Sequence, residues 1–379
     1  MGLIVYNRPF AIERYIMKKI KKIGVLTGGG DCPGLNAVIR AIVKKATQEG
    51  DCEIIGIEDG FEGMIHNRHR KLNSEDVSGI LTLGGTILGT SNRANPFKYL
   101  VKEKGGVVFK DFSRRAIKNL KNLKIDCLVC IGGDGTLAIS HRLAREGIPL
   151  VGVPKTIDND VWGTDITFGF DTAVHIATEG VDRLHTTAES HHRVMILEVM
   201  GRRAGWIALY AGLAGGGDII LIPEIPYDMD VVVEKIKERG KKGKKFTIMV
   251  VAEGAKAKGG DVVVKEIVKD ASDPVRLGGV SFALGKDIEK RTGIETRNVV
   301  MGHLQRGGSP TAFDRILGTQ LGSKAVDLIW ARNFGFMAGV CEGKFVKVPL
   351  SKVARGQKLV PLNHVLIKTA RSIGICFGV

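Results

Sequence analysis

Short apolar segments that lead directly into glycine-rich loops and then into helical patterns constrain the fold of this chain more than any other feature. Residues 23–27 form the first such segment, followed by the loop Gly28–Gly34 and by a helical pattern over residues 35–48. Residues 127–131 lead in the same way into the loop Gly132–Thr136. Strands that are apolar throughout and alternate with helices are typical of a parallel sheet covered on both faces. The sequence therefore predicts an α/β protein.

The same pattern continues through the second half of the chain. Strands are predicted at residues 194–199, 219–222 and 246–252, with helices over residues 172–187 and 204–212. A chain of 379 residues is long enough for two domains of this kind. The loops with distinctive residues follow the C-terminal ends of strands, which is the edge where open α/β sheets bind ligands.

The net charge restricts the classes of partner. A formal charge of +16 suits anionic partners, either nucleic acid or phosphorylated metabolites. Only 6% of the residues are aromatic, and the lysine-rich run at 235–245 contains no aromatic side chain on which a base could stack. We therefore expect phosphorylated metabolites and no nucleic acid.

The cysteines and the N-terminal residues give no sign of secretion or of a membrane partner. Cys127 and Cys130 lie in an apolar strand whose alternating faces separate them, so we predict buried thiols rather than a metal or redox site. The sequence has no run of 18 apolar residues. Residues 1–16 lack a secretory cleavage pattern, and we expect an N-terminal extension ahead of a natural start at Met17. The protein is expected to be cytoplasmic.

Two aspartates one residue apart mark the most unusual loop of the chain. Asp158 and Asp160 follow an apolar run that ends at Pro154, and Lys155 stands beside them. On an extended segment, residues i and i+2 share a face, so both carboxylates would point the same way. Two like charges this close repel each other unless a metal, a lysine or a reacting hydroxyl uses them. The arrangement indicates a phosphoryl-transfer site.

Further loops carry residues that suit phosphate. Residues 28–31 would leave backbone N–H groups free near a helix N-terminus, although a plain strand-to-helix turn explains them equally well. Gly-Gly-Asp-Gly-Thr at 132–136 lets a phosphate chain approach the backbone and keeps one carboxylate for Mg²⁺. Met-Gly-Arg at 200–202 and Gly-His-Leu-Gln-Arg-Gly-Gly at 302–308 each offer an arginine for a phosphate clamp or for a surface ion pair. Neither a P-loop nor a Rossmann fingerprint is present.

Taken in order, these motifs closely resemble the 6-phosphofructokinase family over residues 22 to about 328. The lysine in Pro-Lys-Thr-Ile-Asp-Asn-Asp, the segment Gly-Thr-Ser-Asn-Arg-Ala-Asn-Pro and the long C-terminal part are similar to the mixed-substrate branch, which holds ATP and pyrophosphate users. The resemblance implies two Rossmann-like three-layer domains with mainly parallel sheets and an active site in the cleft between them. It implies a phosphate-donor (ATP) domain at 17–168 plus 305–350, a sugar-phosphate domain at 169–304 and a C-terminal segment at 351–379.

The resemblance also implies a reaction and the residues that perform it. The reaction is Mg²⁺-dependent transfer of a phosphoryl group from ATP to the 1-hydroxyl of fructose 6-phosphate, with Asp158 as the general base. Thr156 and Arg202 would act on the transferred group, and Asp134 and Asp160 would hold Mg²⁺. The implied donor contacts are Gly30, Arg93, Gly133, Asp134, Gly135 and Thr136. The implied sugar-phosphate contacts are Thr156, Asp158, Asp160, Arg193, Met200, Gly201, Arg202, Glu253, Arg297, His303 and Arg306.

The family pattern also bears on the donor and on the assembly. An aspartate in place of Gly135, together with the lysine at Lys155, goes with pyrophosphate in this family. Here Gly135 leaves room for the bulkier nucleotide, whereas Lys155 is of the pyrophosphate-user type, and the sequence favours ATP with pyrophosphate as the alternative. Arg193 and Arg297 would come from a neighbouring subunit, which implies a homodimer or homotetramer.

Other functions explain fewer of the motifs. A NAD or lipid kinase shares Gly-Gly-Asp-Gly-Thr but does not account for residues 200–202 or 302–308. Sedoheptulose 7-phosphate is an alternative acceptor that the sequence does not separate from fructose 6-phosphate. The non-enzymatic alternative is a basic nucleic-acid-binding protein, which would need aromatic residues among the basic ones.

Overall fold

The computed structural model describes residues 19–103, 106–267 and 275–379, so the predicted N-terminal extension at 1–16 lies outside the described residues. The strands are β1 Lys22–Thr27, β2 Glu53–Ile57, β3 His69–Leu72, β4 Tyr99–Glu103, β5 Gly106–Lys110, β6 Cys127–Gly132, β7 Leu150–Pro154, β8 Val194–Val199, β9 Ile219–Leu221, β10 Thr247–Ala252, β11 Val264–Ile267, β12 Val275–Leu277, β13 Thr296–Val300, β14 Phe336–Cys341 and β15 Lys344–Pro349. The helices are α1 Leu35–Gly50, α2 Phe61–His66, α3 Ser113–Asn122, α4 Asp134–Arg145, α5 Phe170–His191, α6 Trp206–Ala214, α7 Met229–Lys241, α8 Val280–Thr292, α9 Ala312–Trp330, α10 Leu350–Val353 and α11 Val365–Ser372, with 3-10 turns at Ile80–Thr82 and Gly302–Arg306.

The larger sheet has the strand order β15-β14-β7-β6-β1-β2-β3. Its five central strands are parallel, and β15 and β3 pair antiparallel at the two edges. Alternate residues enter two separate cores: Val25 and Val129 pack with α1 and α9, whereas Leu26 and Leu128 pack with α3, α4 and α10. The predicted parallel sheet with helices on both faces is confirmed.

The second sheet is parallel throughout, in the order β13-β8-β10-β9. Leu197 and Val250 face α5 and α6, and Ile196 and Val251 face α7 and α8. The core under α5 and α6 is continuous with the core under α1 and α9. The two sheets are therefore joined by packed apolar side chains, and β4–β5 and β11–β12 form separate two-stranded pairs.

The C-terminal segment runs between the two sheets. Gln357 forms an antiparallel bridge with Val161, beside the end of β7. The N–H of Val360 donates to Glu224 Oε1 at 2.8 Å, in the second sheet's domain. Cys376 then pairs in parallel with Ile219 of β9. The segment thus ties the C-terminal edges of both sheets together.

The cysteine prediction is confirmed for the strand β6. Cys127 and Cys130 are buried in different cores, on opposite faces of the sheet. Burial raises the pKa of the Cys130 thiol to about 12 and also raises the pKa of Cys127. Among the helices of the described ranges, none is long and apolar enough to cross a membrane.

Candidate active site

The loop after β7 carries the acid pair, but its backbone is not extended as the sequence argument assumed. The chain turns at residues 157–158, and Asn159 has a left-handed conformation with φ of 50°. The Asp158 N–H donates to Thr156 Oγ1 at 3.0 Å, and the Thr167 N–H donates to Asn159 Oδ1 at 3.1 Å. These bonds fix the turn. The charge of Asp158 nevertheless raises the pKa of Asp160, so the two carboxyl groups still interact.

Asp158 is a buried carboxyl group with one unused acceptor. The residue is 4% exposed, and its Oδ1 has no hydrogen-bond partner among the described residues. Burial raises the pKa of Asp158, while the nearby charges of Arg306, Arg202 and Lys155 act in the opposite direction. A buried acceptor left unpaired costs about 1–3 kcal/mol. Such a group points to a ligand that supplies the missing hydrogen.

Asp134 and Asp160 converge on one point from different elements. Asp134 is in the first turn of α4, and Asp160 is in the loop after β7. The amide Nε2 of Gln357 donates to Oδ2 of both, at 3.0 Å each. Burial, followed by the charges of Asp158 and Asp134, raises the pKa of Asp160 to about 8. Two converging carboxyl groups whose negative charges disfavour each other fit Mg²⁺, which binds one or two carboxylates and takes its other ligands from phosphate and water.

No group of three or more His, Cys, Asp or Glu side chains within the described ranges is arranged to hold a metal ion. The predicted pair of Asp134 and Asp160 would therefore leave the other ligand positions of a metal ion to water or phosphate oxygens.

The loop at residues 28–31 is held by two basic side chains. Lys155 is 4% exposed, and its ammonium group donates to the carbonyl oxygen of Gly30. Arg306 Nη1 donates to the carbonyl oxygen of Asp31 at 3.1 Å, and its guanidinium occupies the space that a Cβ on Gly30 would need. Burial lowers the pKa of Lys155. Lys155, Gly30 and Arg306 are thus brought together with Asp158.

The expectation of free N–H groups in this loop is wrong for two of its glycines. The N–H of Gly28 donates to the carbonyl of Ile131 at 2.9 Å, and that of Gly29 donates to the carbonyl of Ser91 at 3.2 Å. Both donors are used because the loop is packed between β6 and the segment at residues 89–93. Arg93 is exposed and lies on the same segment, two residues after Ser91.

The Gly-Gly-Asp-Gly-Thr motif forms the N-terminal turn of α4, with Gly133 as the residue before the helix. Thr136 is buried, and the N–H of Gly135 donates to Asp134 Oδ1 at 2.7 Å. Nothing lies within 4 Å of the position that a Cβ on Gly135 would take. The turn therefore presents an open surface at the positive end of a helix, which favours phosphate.

The residues expected to contact the sugar lie at the C-terminal ends of β8 and β10. The Arg202 N–H donates to Glu253 Oε1 at 3.2 Å, and both Gly201 and Arg202 have positive φ, 139° and 52°. Burial, followed by the charge of Asp158, raises the pKa of Glu253 to about 7. Asp158, in the loop after β7, and Glu253, at the end of β10, therefore interact electrostatically although they follow strands of different sheets.

The 3-10 turn Gly302–Arg306 contacts other parts of the site through two of its side chains. Arg306 reaches the loop at residues 28–31, as described above, and His303 is exposed nearby in the chain. Gln305, which the sequence argument missed, is fully buried and accepts the Met200 N–H on Oε1 at 2.8 Å. Its role is to hold the end of β8.

Arg193 and Arg297 lie apart from the other predicted sugar contacts. Both form ion pairs with Glu295, at the edge where β8 and β13 begin. Met200 follows the other end of β8, and a six-residue strand separates its two flanks by roughly 20 Å. A single chain therefore does not bring these two arginines to its own cleft.

Gln357 and Lys358 are site residues that the sequence argument also missed. The ammonium group of Lys358 donates to Asn159 Oδ1, the Thr164 carbonyl and the Asp165 carbonyl, at 3.0, 2.9 and 2.7 Å. Burial lowers the pKa of Lys358 to about 8. The C-terminal segment has no motif around these residues, so no sequence signal pointed to them.

Comparison with known proteins gives one family. The family model described as Phosphofructokinase matches residues 22–329. "ATP-dependent 6-phosphofructokinase 2" of Clostridium perfringens is 54% identical over 365 residues, which cover 96% of this chain and 100% of that protein. "Pyrophosphate--fructose 6-phosphate 1-phosphotransferase" of Amycolatopsis methanolica is 52% identical, over 90% of this chain and 96% of that protein. A solved phosphofructokinase from Saccharomyces cerevisiae is 33% identical with a TM-score of 0.72, and the match covers 88% of this chain but only 45% of the yeast chain.

Proposed function

This chain belongs to the phosphofructokinase family, and we propose that it is an ATP-dependent 6-phosphofructokinase that makes fructose 1,6-bisphosphate, a step of glycolysis. The single observation that carries the proposal is the buried, unpaired Oδ1 of Asp158, beside the carboxylates of Asp134 and Asp160 and the arginines Arg202 and Arg306. This is the arrangement that transfer of a phosphoryl group to a hydroxyl requires.

Asp158 is proposed as the general base. Its free Oδ1 can accept the proton of the sugar 1-hydroxyl as that oxygen attacks the terminal phosphorus. Arg306, Arg202 and Lys155 oppose the effect of burial on the pKa of Asp158 and so favour the carboxylate form that a base needs. Phosphoryl transfer depends mainly on positioning and charge neutralisation. Thr156, held in the same turn, and Arg202 would steady the transferred group.

The carboxylates of Asp134 and Asp160 would hold Mg²⁺, which neutralises charge on the donor phosphates when it is bound. The amino-terminal turn of α4, with Gly133, Gly135 and Thr136, and the loop around Gly30 and Arg93 form the proposed donor surface. The chain's own contribution there is a helix N-terminus, the buried Lys155 and the partly buried Arg306.

ATP is proposed as the donor because the space around Gly135 is open. The ammonium group of Lys155 already donates to the Gly30 carbonyl, so this lysine does not by itself require pyrophosphate. A pyrophosphate-dependent reaction is the second candidate, which the Amycolatopsis relative and the identity of Lys155 favour.

The sugar-phosphate surface is proposed to combine two chains. Met200, Gly201, Glu253, His303 and Arg306 would come from one chain. Arg193 and Arg297 would come from its neighbour in a homodimer or homotetramer, since they lie at the far edge of their own sheet. The proposal includes the domain division at 17–168 plus 305–350 and 169–304, with the 351–379 segment, and a cytoplasmic location.

The direct test is an assay of the purified protein with fructose 6-phosphate, ATP and Mg²⁺, coupled through aldolase and checked by phosphorus NMR. We expect a product phosphorylated at the 1-hydroxyl, with turnover lost on addition of EDTA. Hydrolysis of ATP without a new sugar ester, or no reaction with either ATP or pyrophosphate, would contradict the proposal.

A further inference from the structure

An amide from the C-terminal segment lies between the two carboxylates assigned to the metal. Gln357 lies between α10 and α11 and forms an antiparallel bridge with Val161. The N–H of Lys358 donates to the carbonyl oxygen of Asp160 at 2.7 Å. Because residues 357–358 run beside residues 160–161, the backbone itself holds the Gln357 side chain over the metal site.

The amide uses both of its hydrogens there. Its Nε2 donates to Asp134 Oδ2 and to Asp160 Oδ2, at 3.0 Å each. A primary amide has two N–H hydrogens and one oxygen acceptor. The two bonds therefore hold the carboxylates of α4 and of the loop after β7 within reach of a single atom.

A neutral amide adds no positive charge to the two carboxyl groups that it bridges. The nearest lysine of the same segment, Lys358, directs its ammonium group to Asn159 Oδ1 and to the carbonyls of Thr164 and Asp165. Two carboxylates on one neutral donor therefore retain a site for a cation. When a cation arrives, the positive end of the amide must turn away from it.

We propose that Gln357 is a positioning residue of the metal site. Before the ion binds, its NH₂ group keeps Asp134 and Asp160 at a spacing that suits a divalent cation. With an ion bound, rotation about the last side-chain bond, which is a broad and roughly two-fold torsion, would turn the NH₂ group away from the cation and present Oε1 instead. This inference deepens the proposed function, because it takes the site to be that of a metal-dependent phosphotransferase.

The test is a titration of the full-length protein with Mn²⁺ alone. Electron paramagnetic resonance measures the free ion at each point and so gives the Kd. Residues that orient metal ligands typically change affinity about 10–100-fold when mutated. Gln357→Ala should therefore weaken Mn²⁺ binding about tenfold or more, whereas Gln48→Ala, the same change at an exposed glutamine of α1, should leave it unchanged. An unchanged Kd in Gln357→Ala, or no Mn²⁺ binding by the unmodified protein, would overturn the proposal.

Gln357→Glu separates positioning from a merely structural role. A carboxylate at this position can face the ion, so this variant should bind Mn²⁺ at least as tightly as the unmodified protein. In EDTA, without a cation between its three carboxylates, the same variant should have a lower Tm than the unmodified protein. Weak Mn²⁺ binding by both Gln357→Ala and Gln357→Glu would contradict the proposal. The titration needs neither sugar nor phosphate donor, so a failure of the proposed kinase activity would be seen separately, in the aldolase-coupled assay.

Discussion

Asp158, Asp160 and Lys155 are each 4% exposed, and they share one short loop. Burial acts against the charged form of all three, and their opposite signs partly compensate each other. Single charges with incomplete pairing are rare in protein interiors. At the scale of residues, the site is therefore marked by buried charged groups that a phosphate donor and a sugar hydroxyl would pair with.

The role of Asp158 is tested by Asp158→Asn. A general base typically contributes about 10²–10⁴-fold, so we expect kcat to fall by about that factor while binding of fructose 6-phosphate, measured by calorimetry, largely remains. Asp261→Asn, at an exposed aspartate, is the matched control and should keep its activity. Near-normal turnover in Asp158→Asn would remove this residue as the base.

The donor preference is tested by Gly135→Asp. Because the space around Gly135 is open, the new side chain should be accommodated without loss of folding and should repel the nucleotide phosphates. We expect kcat/KM for ATP to fall by about tenfold or more, as two like charges in a partly buried site cost more than 1 kcal/mol. Gly240→Asp on α7, also in open space, is the control. Unchanged ATP kinetics in Gly135→Asp would contradict the steric argument.

At the scale of elements, one carboxyl group joins two long helices. Asp314, in the first turn of α9, accepts the Thr172 N–H at 2.8 Å and the Thr172 hydroxyl at 2.5 Å, at the start of α5. Its Oδ1 is buried and has no partner within the described residues. Burial raises the pKa of Asp314 to about 6 despite these bonds. The folded state therefore favours the protonated form of Asp314, although the bonds from Thr172 favour the carboxylate.

The pH dependence of this joint follows from the sign of the shift. The folded protein binds the proton more tightly than the unfolded chain, so this group's contribution to stability falls as the pH rises from about 4 to about 6. A pKa raised from 3.8 to about 6 corresponds to roughly 2–3 kcal/mol in the free energy of unfolding. The free energy of unfolding of the unmodified protein minus that of Asp314→Asn, measured in urea, should increase as the pH is lowered from 7 to 4. A difference that does not vary with pH would rule out a raised pKa at Asp314.

The sequence predicted elements better than it predicted their contacts. Apolar strands followed by glycine loops identified the parallel sheets, because burial on both faces leaves a continuous apolar run, as at Cys127–Gly132. The position of Asp158 directly after a buried strand could also be predicted from the apolar run that precedes it. The roles of Gln357 and Lys358 could not be predicted from the sequence. Their contacts with Asp160 and Asn159 span nearly 200 residues of the chain. These contacts also depend on Trp206 and Glu224, which hold the C-terminal segment in place. The loop at Gly28 was misjudged because its N–H groups meet distant carbonyls.

At the scale of the whole molecule, the proposed sugar-phosphate role of Arg193 and Arg297 would need a second chain. A hybrid of an Asp158→Asn chain and an Arg193→Ala chain would contain one site with an intact base and an intact partner arginine. Random pairing of the two chains should therefore recover about a quarter of the unmodified turnover in a dimer, measured after co-expression at limiting fructose 6-phosphate.

The control for this mixing experiment is the pair Asp158→Asn and Glu253→Gln. Both residues are assigned to the same chain's half of the site, so mixing should give no recovery. If the Asp158→Asn and Arg193→Ala mixture is no more active than the mean of the two variants measured separately, the proposal that two chains share one site is wrong.

The most direct measurement of the central claim is the ratio of kcat/KM for ATP to kcat/KM for pyrophosphate, with saturating fructose 6-phosphate and Mg²⁺, on one preparation of the unmodified protein. Gly135 predicts that ATP is the better donor and that the ratio falls sharply in Gly135→Asp. Turnover with pyrophosphate but not with ATP would contradict the assignment of the donor, and turnover with neither would contradict the assignment of the enzyme.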